Sequence, residues 1–430
     1  MNLVPAVGGE RLVPAPDPIA RDYLLLALRM DQHIPGLVDG YFGPADLKAQ
    51  VDVEALRAPA RLRDDALALR ARIDTEVSDP ADAARRRWLG AQVDALEAQA
   101  RALAGDPLPY EEHVATCFDF RPRRRPESDF ADAATGLQGL VPGSGALPAR
   151  LAAWDARFIV PNEALPALAD RLVARFRERA GSLFGLPEGE ALRVSFVRDQ
   201  PWSGYNWYDG GFRSRVDLNT DVPIRVASLI HTVAHETYPG HHLEHAWKEA
   251  DQVVEHGRLE SSVLVINAPE CLISEGLADL GHRFASPADD EAALLADMYR
   301  LAGLPFAGDP VAAQEAAELT VAMAPFRATL GASAVNAALM RHADGASHET
   351  VLAYLQDTGI MEPDRAAQRL SFIEHPLWRT YVFVYSEGEA LLQRWLEVAP
   401  PAAQTARFGR LLHEQLTPGA IEDELAGSPA

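Results

Sequence analysis

Histidine and glutamate side chains that could bind a metal are concentrated in the segment HETYPGHH, residues 235–242. His235 and Glu236 open it like the HExxH helix of a zinc hydrolase, but Pro239 stands where the second histidine is expected. On an undistorted helix, His235 and His241 would lie about 9 Å apart along the axis and on different faces. The Pro-Gly step between them can form a bulge that turns His241 back towards His235. The segment therefore predicts a metal site with an irregular turn.

Three histidine pairings compete in this region. His231 and His235 are four residues apart, and so are His241 and His245. Either pair could share a helix face and hold a metal, because four residues make about one helical turn. The third pairing joins His235 to His241 across the Pro-Gly step. The alternative to all three is a group of ordinary surface or core histidines at a kinked helix end.

A further candidate ligand lies downstream in LISEGLADLGH, residues 272–282. Glu275 can supply a third ligand, and Asp279, one turn later, can orient a ligand histidine. A catalytic zinc site uses three protein ligands and keeps one position open for water. Glu236 directly follows the first candidate ligand, where a general base would face that water. The two segments together, more than either alone, predict a catalytic site for one Zn²⁺ ion.

The composition of the chain is that of an ordinary globular protein, with 430 residues, 48% hydrophobic and 24% charged. Its formal net charge of -22 argues against a nucleic-acid-binding or anionic-membrane-binding protein with a broad basic face. Two cysteines, Cys117 and Cys271, are too few for a disulfide scaffold. The start of the chain lacks the features of a secretory signal, and its longest apolar run is too short to cross a bilayer. We expect a cytoplasmic protein that does not bind membranes.

The secondary-structure elements that must position these residues are predicted to be mostly helices. Residues 1–18 are predicted to be a flexible leader, residues 19–185 a helical region, and residues 186–430 the metal-binding catalytic region with C-terminal helices. We expect one continuous fold with a central cleft. One region predicted to be helical carries its apolar residues on one face: Trp88, Leu89, Val93, Leu96 and Ala100.

An alternating pattern typical of β-strands precedes the histidine segment. In EALRVSFVRD, residues 190–199, Leu192, Val194 and Phe196 alternate with polar neighbours, and a second alternating run, RVDLNTD, follows a predicted Asp209-Gly210 turn. The next helix is expected to be capped by Thr220 or Asp221, with Pro223 in its first turn. The predicted fold is therefore mainly α, with a small β-hairpin or sheet beside the metal-binding helix.

The segments HETYPGHH and SEGLAD resemble the bacterial family called domain of unknown function 885, a group of zincin-like proteins. The likeness extends to YLLLALRMDQHIPGLVDGYFGP near the start and to HPLWRTYVFVYSEGEALLQRW near the end. In that last segment Tyr385 and Gly388 keep the family's YxxG spacing, whereas Tyr381 stands where glutamine is usual.

The resemblance implies a mostly helical, gluzincin-like fold with zinc bound by His235, His241 and Glu275. Some members of the family replace the last histidine of PGHH, which favours His241 over His242 as the ligand. His242 is then expected, like Asp279, to support the ligands. Two histidines and one glutamate also suit zinc, although the metal is not fixed by the sequence.

The predicted reaction is hydrolysis in which Glu236 takes a proton from the attacking water while the metal polarises a carbonyl. The oxyanion that forms needs another donor. Tyr385 is the first candidate, and Tyr238 and His342 are the alternatives.

An extended peptide is predicted to pair with the strand RVDLNTD by β-augmentation, which would bring Arg215 and Asn219 near the substrate. Capping and solvation of the strand end is the simpler interpretation of these two residues. Arg379 could receive a terminal carboxylate. The expected substrate is a peptide or a small amide.

Two other functions remain open from the sequence. A zinc amidase or esterase acting on a small metabolite would use the same metal chemistry. A catalytically silent helical protein would hold a structural metal with four protein ligands, the fourth being His242 or His231. The oligomeric state is not predicted.

Overall fold

The computed structural model of the protein describes residues 3–6, 9–14, 17–200 and 202–427, the first two ranges as backbone only. Helices dominate these residues, with three small sheets among them, so the mainly α fold is confirmed. Residues 1, 2, 7, 8, 15 and 16 of the predicted leader lie outside the described residues. The buried apolar side chains form one cluster that extends from the first helix to the last.

In chain order, the helices of the described residues are α1 (Pro18–Asp31), α2 (Ala45–Val53), α3 (Pro59–Glu76), α4 (Ala83–Leu103), α5 (Tyr110–Phe118), α6 (Glu127–Leu140), α7 (Leu147–Ala156), α8 (Leu165–Phe184), α9 (Val226–Glu236), α10 (His241–Lys248), α11 (Pro269–Ala285), α12 (Ala288–Leu301), α13 (Pro310–Gly331), α14 (Ser333–His342), α15 (His348–Asp357), α16 (Pro363–Glu374), α17 (Val382–Glu397), α18 (Pro401–His413) and α19 (Pro418–Gly427). A π-helical segment (Glu249–Glu255) continues α10, and short 3-10 helices span Pro80–Asp82, Leu259–Ser262 and Pro305–Gly308. No helix in this part of the chain is long and apolar enough to span a bilayer.

The strands form three sheets. They are β1 (Leu3–Ala6), β2 (Gly9–Pro14), β3 (Val38–Tyr41), β4 (Ala191–Val197), β5 (Gly204–Gly210), β6 (Arg213–Asn219) and β7 (Val263–Val265). The pairs β1–β2 and β3–β7 are antiparallel. In the third sheet β6 lies in the middle, parallel to β4 and antiparallel to β5.

The hairpin between β5 and β6 turns two residues later than predicted. Gly210 pairs with Arg213, so Gly211 and Phe212 form the loop in place of the predicted Asp209-Gly210 turn. Both loop residues have positive φ, 65° and 64°. A two-residue hairpin turn of this kind needs positive φ at both central positions, and Gly211 meets that need without a side chain.

Helix α9 begins later than the sequence predicts. The predicted caps, Thr220 and Asp221, precede the first helical residue, Val226, by several positions. The backbone just before the helix is instead paired with an earlier segment: the N–H of Val226 donates to the carbonyl of Phe158. This bridge keeps the chain extended up to Arg225 and sets the start of the metal-binding helix.

Helices α11 and α17 cross at two glycines. A Cβ at Gly276 would lie 2.5 Å from the carbonyl carbon of Gly388, and a Cβ at Gly388 would lie 2.4 Å from the carbonyl oxygen of Leu272. Any larger residue at either position would force the helices apart. The glycines of the two SEG segments therefore bring α17 against α11, the helix that carries Glu275.

Candidate metal centre

The chain is broken between His235 and His241. Helix α9 ends at Glu236 and a separate helix, α10, begins at His241. The predicted single helix with a bulge is therefore wrong, because the chain forms two helices joined by a turn. The Tyr238–Pro239 peptide between them is cis. A Cβ on Gly240 would lie 1.8 Å from the carbonyl oxygen of His235, so glycine is required for the chain to fold back this closely.

This break brings two histidine rings and one carboxylate together. The rings of His235 and His241 are perpendicular, with centroids 4.6 Å apart. The Nε2 atom of His235 lies 3.5 Å from Oε2 of Glu275, and Nε2 of His241 lies 3.6 Å from Oε1. Candidate ligand atoms of the three residues all lie within 4.8 Å of one another. The two helices and α11 thus converge on one point.

The donor set fits a zinc ion. Donors held tetrahedrally at about 2.0–2.1 Å from zinc lie about 3.4 Å from each other, close to the distances between Glu275 and the two imidazoles. Oε2 of Glu275 is buried and has no hydrogen-bond partner among the described residues. Burial raises the pKa of Glu275, but the neighbouring imidazoles outweigh that effect and hold its pKa below the usual range. The carboxylate is therefore available to a cation.

Asp279 orients the first histidine. Its Oδ1 lies 2.9 Å from Nδ1 of His235 and 3.2 Å from Nε2 of His231. A hydrogen bond from Nδ1–H to a carboxylate leaves Nε2 of His235 with a free lone pair facing Glu275. Asp279 stands one helical turn after Glu275 on α11, where the sequence analysis expected an orienting carboxylate.

The second histidine is supported by a chain of groups that the sequence analysis missed. Oγ of Ser274 lies 3.2 Å from Nδ1 of His241 and donates to Oε2 of Glu244 over 2.5 Å. Lys248 in turn donates to Oε1 of Glu244 over 2.7 Å and to Glu270 over 2.8 Å. The helical spacing of His241, Glu244 and Lys248 was the only local signal for this buried network.

Tyr381 supports the third candidate ligand. Its hydroxyl donates to Oε1 of Glu275 over 2.8 Å. The residue was noted in the sequence only because it stands where the resembled family usually has glutamine. A tyrosine hydroxyl can donate to Glu275 as a glutamine amide can, so the departure still provides a hydrogen-bond donor.

Glu236 lies beside the three candidate ligands. It is buried, and burial raises its pKa above the usual range, with the charges of Glu275 and Asp39 acting in the same direction. Its Oε1 would lie 3.2 Å from a Cβ placed on Gly204 of β5. The amide of Asn206, also on β5, donates to the Glu236 carbonyl over 2.7 Å. Strand β5 therefore fixes the end of α9.

His242 and Tyr238 are engaged elsewhere. Nδ1 of His242 lies 2.8 Å from Oγ of Ser214, and its Nε2 lies 2.9 Å from Oε2 of Glu190. The Tyr238 hydroxyl donates to the same carboxylate oxygen over 2.5 Å. The structure therefore directs both side chains towards the sheet, and among the described residues His242 has no hydrogen bond to His235 or His241.

Tyr385 lies next to the candidate ligands and has a free hydroxyl. Its ring packs edge-on against Tyr381 with centroids 5.5 Å apart, and 38% of its surface is exposed. The described part of the chain offers its hydroxyl no hydrogen-bond partner. Desolvation by its close surroundings, with the charges of Glu275 and Asp279 nearby, holds the pKa of Tyr385 well above its usual value, so the hydroxyl stays protonated.

The strand predicted to bind a peptide is not an edge strand. Because β6 is paired on both sides, it cannot accept a further strand, and the β-augmentation predicted there is wrong. Arg215 pairs with Asp217 and stacks over Trp207 at 5.2 Å. The Asn219 amide donates to the carbonyls of Gln200 and Trp202. These contacts match the simpler interpretation, in which both residues stabilise the sheet.

His342 and Arg379 lie together beside Tyr110 of α5. Nε2 of His342 is 2.8 Å from the carbonyl oxygen of Ile373, and its ring packs on Tyr110 with centroids 4.7 Å apart. The Tyr110 hydroxyl donates to the carbonyl of Arg379. Neither predicted substrate-binding residue has a described contact with Glu236 or with the candidate ligands.

The two other histidine pairings that the sequence left open, His231 with His235 and His241 with His245, also lie close together in the structure. His231 shares Asp279 with His235, and the rings of His241 and His245 are stacked with centroids 5.7 Å apart. Burial lowers the pKa of His245 to about 3, so this imidazole stays neutral. His231, His235 and Asp279, and likewise His241, Glu244 and His245, form further groups that could hold an ion. Of these three groups, the group of His235, His241 and Glu275 is the one whose two imidazoles face the two oxygens of a single carboxylate, one of which, Oε2, has no hydrogen-bond partner among the described residues.

Comparisons with known proteins identify no family. No family model and no curated protein matches the chain. Membership of the domain of unknown function 885 family therefore stays a prediction.

Solved structures give distant likenesses. The chain is similar to a candidate lipoprotein from Colwellia psychrerythraea, with 14% identity, a TM-score of 0.49 and 84% of this chain covered. It spans 65% of the length of that protein. A candidate lipoprotein of unknown function from Shewanella oneidensis matches with 14% identity and a TM-score of 0.48, over 94% of this chain and 73% of that one. An M32 carboxypeptidase from Deinococcus radiodurans R1 matches with 15% identity and a TM-score of 0.48, over 96% and 95% of the two chains. Likenesses of this degree carry no functional argument.

Proposed function

We propose that the protein is a zinc-dependent hydrolase, and specifically a metallopeptidase that cleaves peptide bonds. One observation carries this proposal: the buried, unpaired Oε2 of Glu275 faces Nε2 of His235 at 3.5 Å. His241 lies equally close to the other oxygen of the same carboxylate. Two imidazoles, one carboxylate and a neighbouring free glutamate are the groups that a catalytic zinc site uses.

His235, His241 and Glu275 would hold the ion. When bound there, zinc would polarise a substrate carbonyl and lower the pKa of water. Asp279 and the pair of Ser274 and Glu244 hold hydrogen bonds at the Nδ1 atoms, which keeps both Nε2 atoms free as donors to the metal.

Glu236 acts as the general base in this proposal. Its carboxyl is buried beside the candidate ligands, and burial raises its pKa above that of a solvated glutamate. A carboxylate with a raised pKa is a better acceptor for the proton of an attacking water and can return that proton to the leaving amine. Gly204 approaches the carboxylate closely, because a Cβ there would lie 3.2 Å from Oε1 of Glu236 and 2.6 Å from Cγ2 of Thr232.

Tyr385 donates to the developing oxyanion. Of the two neighbouring tyrosines, Tyr381 already donates its hydroxyl to Glu275, whereas the Tyr385 hydroxyl has no hydrogen-bond partner in the part of the chain that the structure describes. Its raised pKa keeps the proton on the oxygen, as an oxyanion donor requires.

We place an extended substrate along β5 in place of β6. Strand β5 is at the edge of its sheet, and an edge strand carries unpaired backbone groups that can bind a peptide. It is also the strand that contacts Glu236 through Gly204 and Asn206.

A closed structural metal site is less well supported. His242 is bound by Ser214 and Glu190, and His231 by Asp279, so neither predicted fourth ligand is free. The unused base Glu236 also has no role in such a site. A small amide or ester as substrate remains the alternative within the same chemistry, and the predicted cytoplasmic location stays a prediction.

The test combines metal analysis with a peptide-library cleavage screen, run with and without chelator. We expect about one zinc per chain and peptide cleavage that chelator abolishes. Glu236→Gln should lower kcat by about 100- to 10,000-fold while zinc content stays the same. Glu163→Gln, which changes an exposed glutamate, is the matched control and should leave both unchanged. Cleavage of small amides or esters but not of peptides would replace the peptidase by the alternative.

A further inference from the structure

In one group of arginines, the guanidinium groups outnumber their acidic partners among the described residues. Asp155 accepts hydrogen bonds from Arg225, over 2.5 Å, and from Arg327, over 2.8 and 3.1 Å. The charge of Arg365 acts on Arg225 of this group and also on Arg369, and neither Arg365 nor Arg369 has a hydrogen-bond or ion-pair partner among the described residues. One carboxylate thus pairs with two of these four guanidinium groups, in a chain whose net charge is -22. The excess of positive charge is local.

Arg369 is the most enclosed of the unpartnered arginines. Burial lowers the pKa of its guanidinium from the usual value, Arg365 acts in the same direction, and the nearby Tyr385 opposes them. A guanidinium carries five N–H donors and stays charged in proteins. Arg369 is half-buried and has no acceptor among the described residues, so its N–H groups are available to an anionic ligand.

A run of aromatic rings connects the helix of Arg369 to the metal centre. Arg365, Arg369 and Phe372 are spaced by four and three residues, so they share one face of α16. The ring of Phe372 stacks on Trp378 with centroids 5.7 Å apart.

The run continues from Trp378 to the ring of Tyr381, with centroids 5.3 Å apart. Tyr381 then contacts both Glu275, through its hydroxyl, and the ring of Tyr385. This ring packing joins α16 to Tyr381 and Tyr385, and the charges of Arg369 and Tyr385 act on each other.

We propose that Arg369 binds a carboxylate group of the substrate beside Tyr385, with Arg365 adding positive charge at the outer end. This inference rests on the proposed hydrolase function and names the substrate class of the same site. The carboxylate is the C-terminus of a peptide or an acidic side chain next to the cleaved bond. A guanidinium fork matches the two oxygens of either group, and an alkylammonium or neutral group would gain nothing there.

Arg379, the arginine that the sequence suggested for this role, has other surroundings. Its charge acts on His113 and Cys117 of α5, where burial first and Arg379 second lower the pKa of His113 to about 4. Its backbone is tied to Tyr110 of the same helix. These contacts direct Arg379 towards α5 and leave Arg369 as the carboxylate-binding residue.

The experiment measures binding by calorimetry to the Glu236→Gln protein, which is expected to bind peptides without cleaving them. Three peptides of the same length are compared: one with a free C-terminus and neutral side chains, one with a C-terminal amide and neutral side chains, and one amide with a single aspartate. We expect the free acid or the aspartate peptide to bind about 10- to 100-fold more tightly than the neutral amide. Whichever binds more tightly identifies the source of the carboxylate.

Arg369→Gln, added to the same protein, should remove this preference, and Arg369→Lys should keep part of it because the charge remains. Circular dichroism and thermal unfolding check that each variant is folded. Arg171→Gln, an exposed arginine on α8, is the control and should keep the full preference.

Equal binding of all three peptides, or loss of preference in Arg379→Gln but not in Arg369→Gln, would overturn the assignment. Cleavage of all three peptides by the unmodified enzyme would then leave the hydrolase proposal standing. Absence of any cleavage, combined with a preference that depends on Arg369, would instead count against the hydrolase and not against the carboxylate site.

Discussion

Two tyrosines four residues apart do different work at the candidate centre. The Tyr381 hydroxyl donates to Glu275, a candidate metal ligand, whereas Tyr385 has an exposed edge and a free hydroxyl. Hydrogen bonds to a metal-binding carboxylate tune the affinity for the metal. A free donor beside the carbonyl acts only when negative charge develops there. The two residues should therefore affect different measurements.

We predict a separation between the phenylalanine variants of these tyrosines. Tyr385→Phe should lower kcat by about 100-fold with little change in KM or in zinc content. Tyr381→Phe should weaken zinc binding by about 10-fold or more, measured by competition with a fluorescent chelator. Weaker zinc binding in Tyr385→Phe with unchanged kcat would reverse the assigned roles.

At the scale of elements, the site depends on how closely four helices approach one another. Gly240 allows the break between α9 and α10, and Gly276 and Gly388 allow α17 to pack against α11. In the sequence these glycines are only positions within the PGHH and SEG motifs, and in the structure they allow close packing of the backbone. Each one places a side chain of the centre without contributing any chemistry.

Enlarging one of these glycines should damage both stability and metal binding. Gly276→Ala would put a methyl group 2.5 Å from the backbone of α17, so we expect a loss on the order of 2 kcal/mol in the free energy of unfolding and reduced zinc content. Gly409→Ala on α18 is the matched control, because its Cβ would meet nothing within 4 Å. That change should stabilise the protein by up to about 1 kcal/mol. Chemical denaturation measures both, and an unchanged Gly276→Ala protein would contradict the close packing.

Glu190 holds the connection between α9 and α10 against the start of the sheet. It accepts hydrogen bonds from Tyr238 and Arg177 and contacts Nε2 of His242. Burial raises its pKa, but the hydrogen bonds from His242, Tyr238 and Arg177 outweigh that effect and lower the pKa to about 2. A depressed pKa in the folded state means that the ionised carboxylate stabilises the fold.

The contribution of Glu190 should disappear in acid. It is fully present above the ordinary pKa of 4.5 and is lost as the pH falls from there towards about 2. Glu190→Gln should therefore destabilise the protein by about 2 kcal/mol at pH 7, and the difference from the unmodified protein should shrink below about pH 4.5. Urea denaturation across this pH range measures the difference, and a pH-independent difference would contradict the assignment.

At the scale of the whole molecule, a bound ion would connect parts that are distant along the chain. His235 and His241 come from α9 and α10, Glu275 from α11, and the supporting Tyr381 from the start of α17. The apolar core already joins these helices in one cluster. Zinc binding should therefore stabilise the fold as a whole.

Chelator should lower the midpoint of thermal unfolding by a few degrees, and added zinc should restore it. An ion present at about 100 times its dissociation constant stabilises the folded state by about 2.7 kcal/mol. Differential scanning calorimetry measures the midpoints, and His241→Ala should show the low midpoint with no response to zinc. A chelator-independent midpoint in the unmodified protein would contradict a structural contribution of the metal.

Local spacing explains what the sequence could predict. The mainly helical fold followed from periodicity. The spacing of HETYPGHH and SEGLAD left three histidine pairings open, and the family resemblance carried by these two segments then predicted that His235, His241 and Glu275 meet. The helix break, the central position of β6 and the contacts of Glu190 depend on partners far along the chain, as when Tyr238 binds a residue 48 positions earlier. Spacing within a segment carries no information about such partners. The chain of Ser274, Glu244 and Lys248 was missed for the same reason, since Ser274 reaches α10 from α11.

The central claim, one zinc ion held by His235, His241 and Glu275, is tested most directly by anomalous diffraction at the zinc absorption edge from zinc-soaked crystals. The predicted result is a single strong peak bonded to Nε2 of both histidines and to the Glu275 carboxylate, with no fourth protein ligand. A peak at His231 and Asp279, a bond to His242, or no peak between these residues would contradict it.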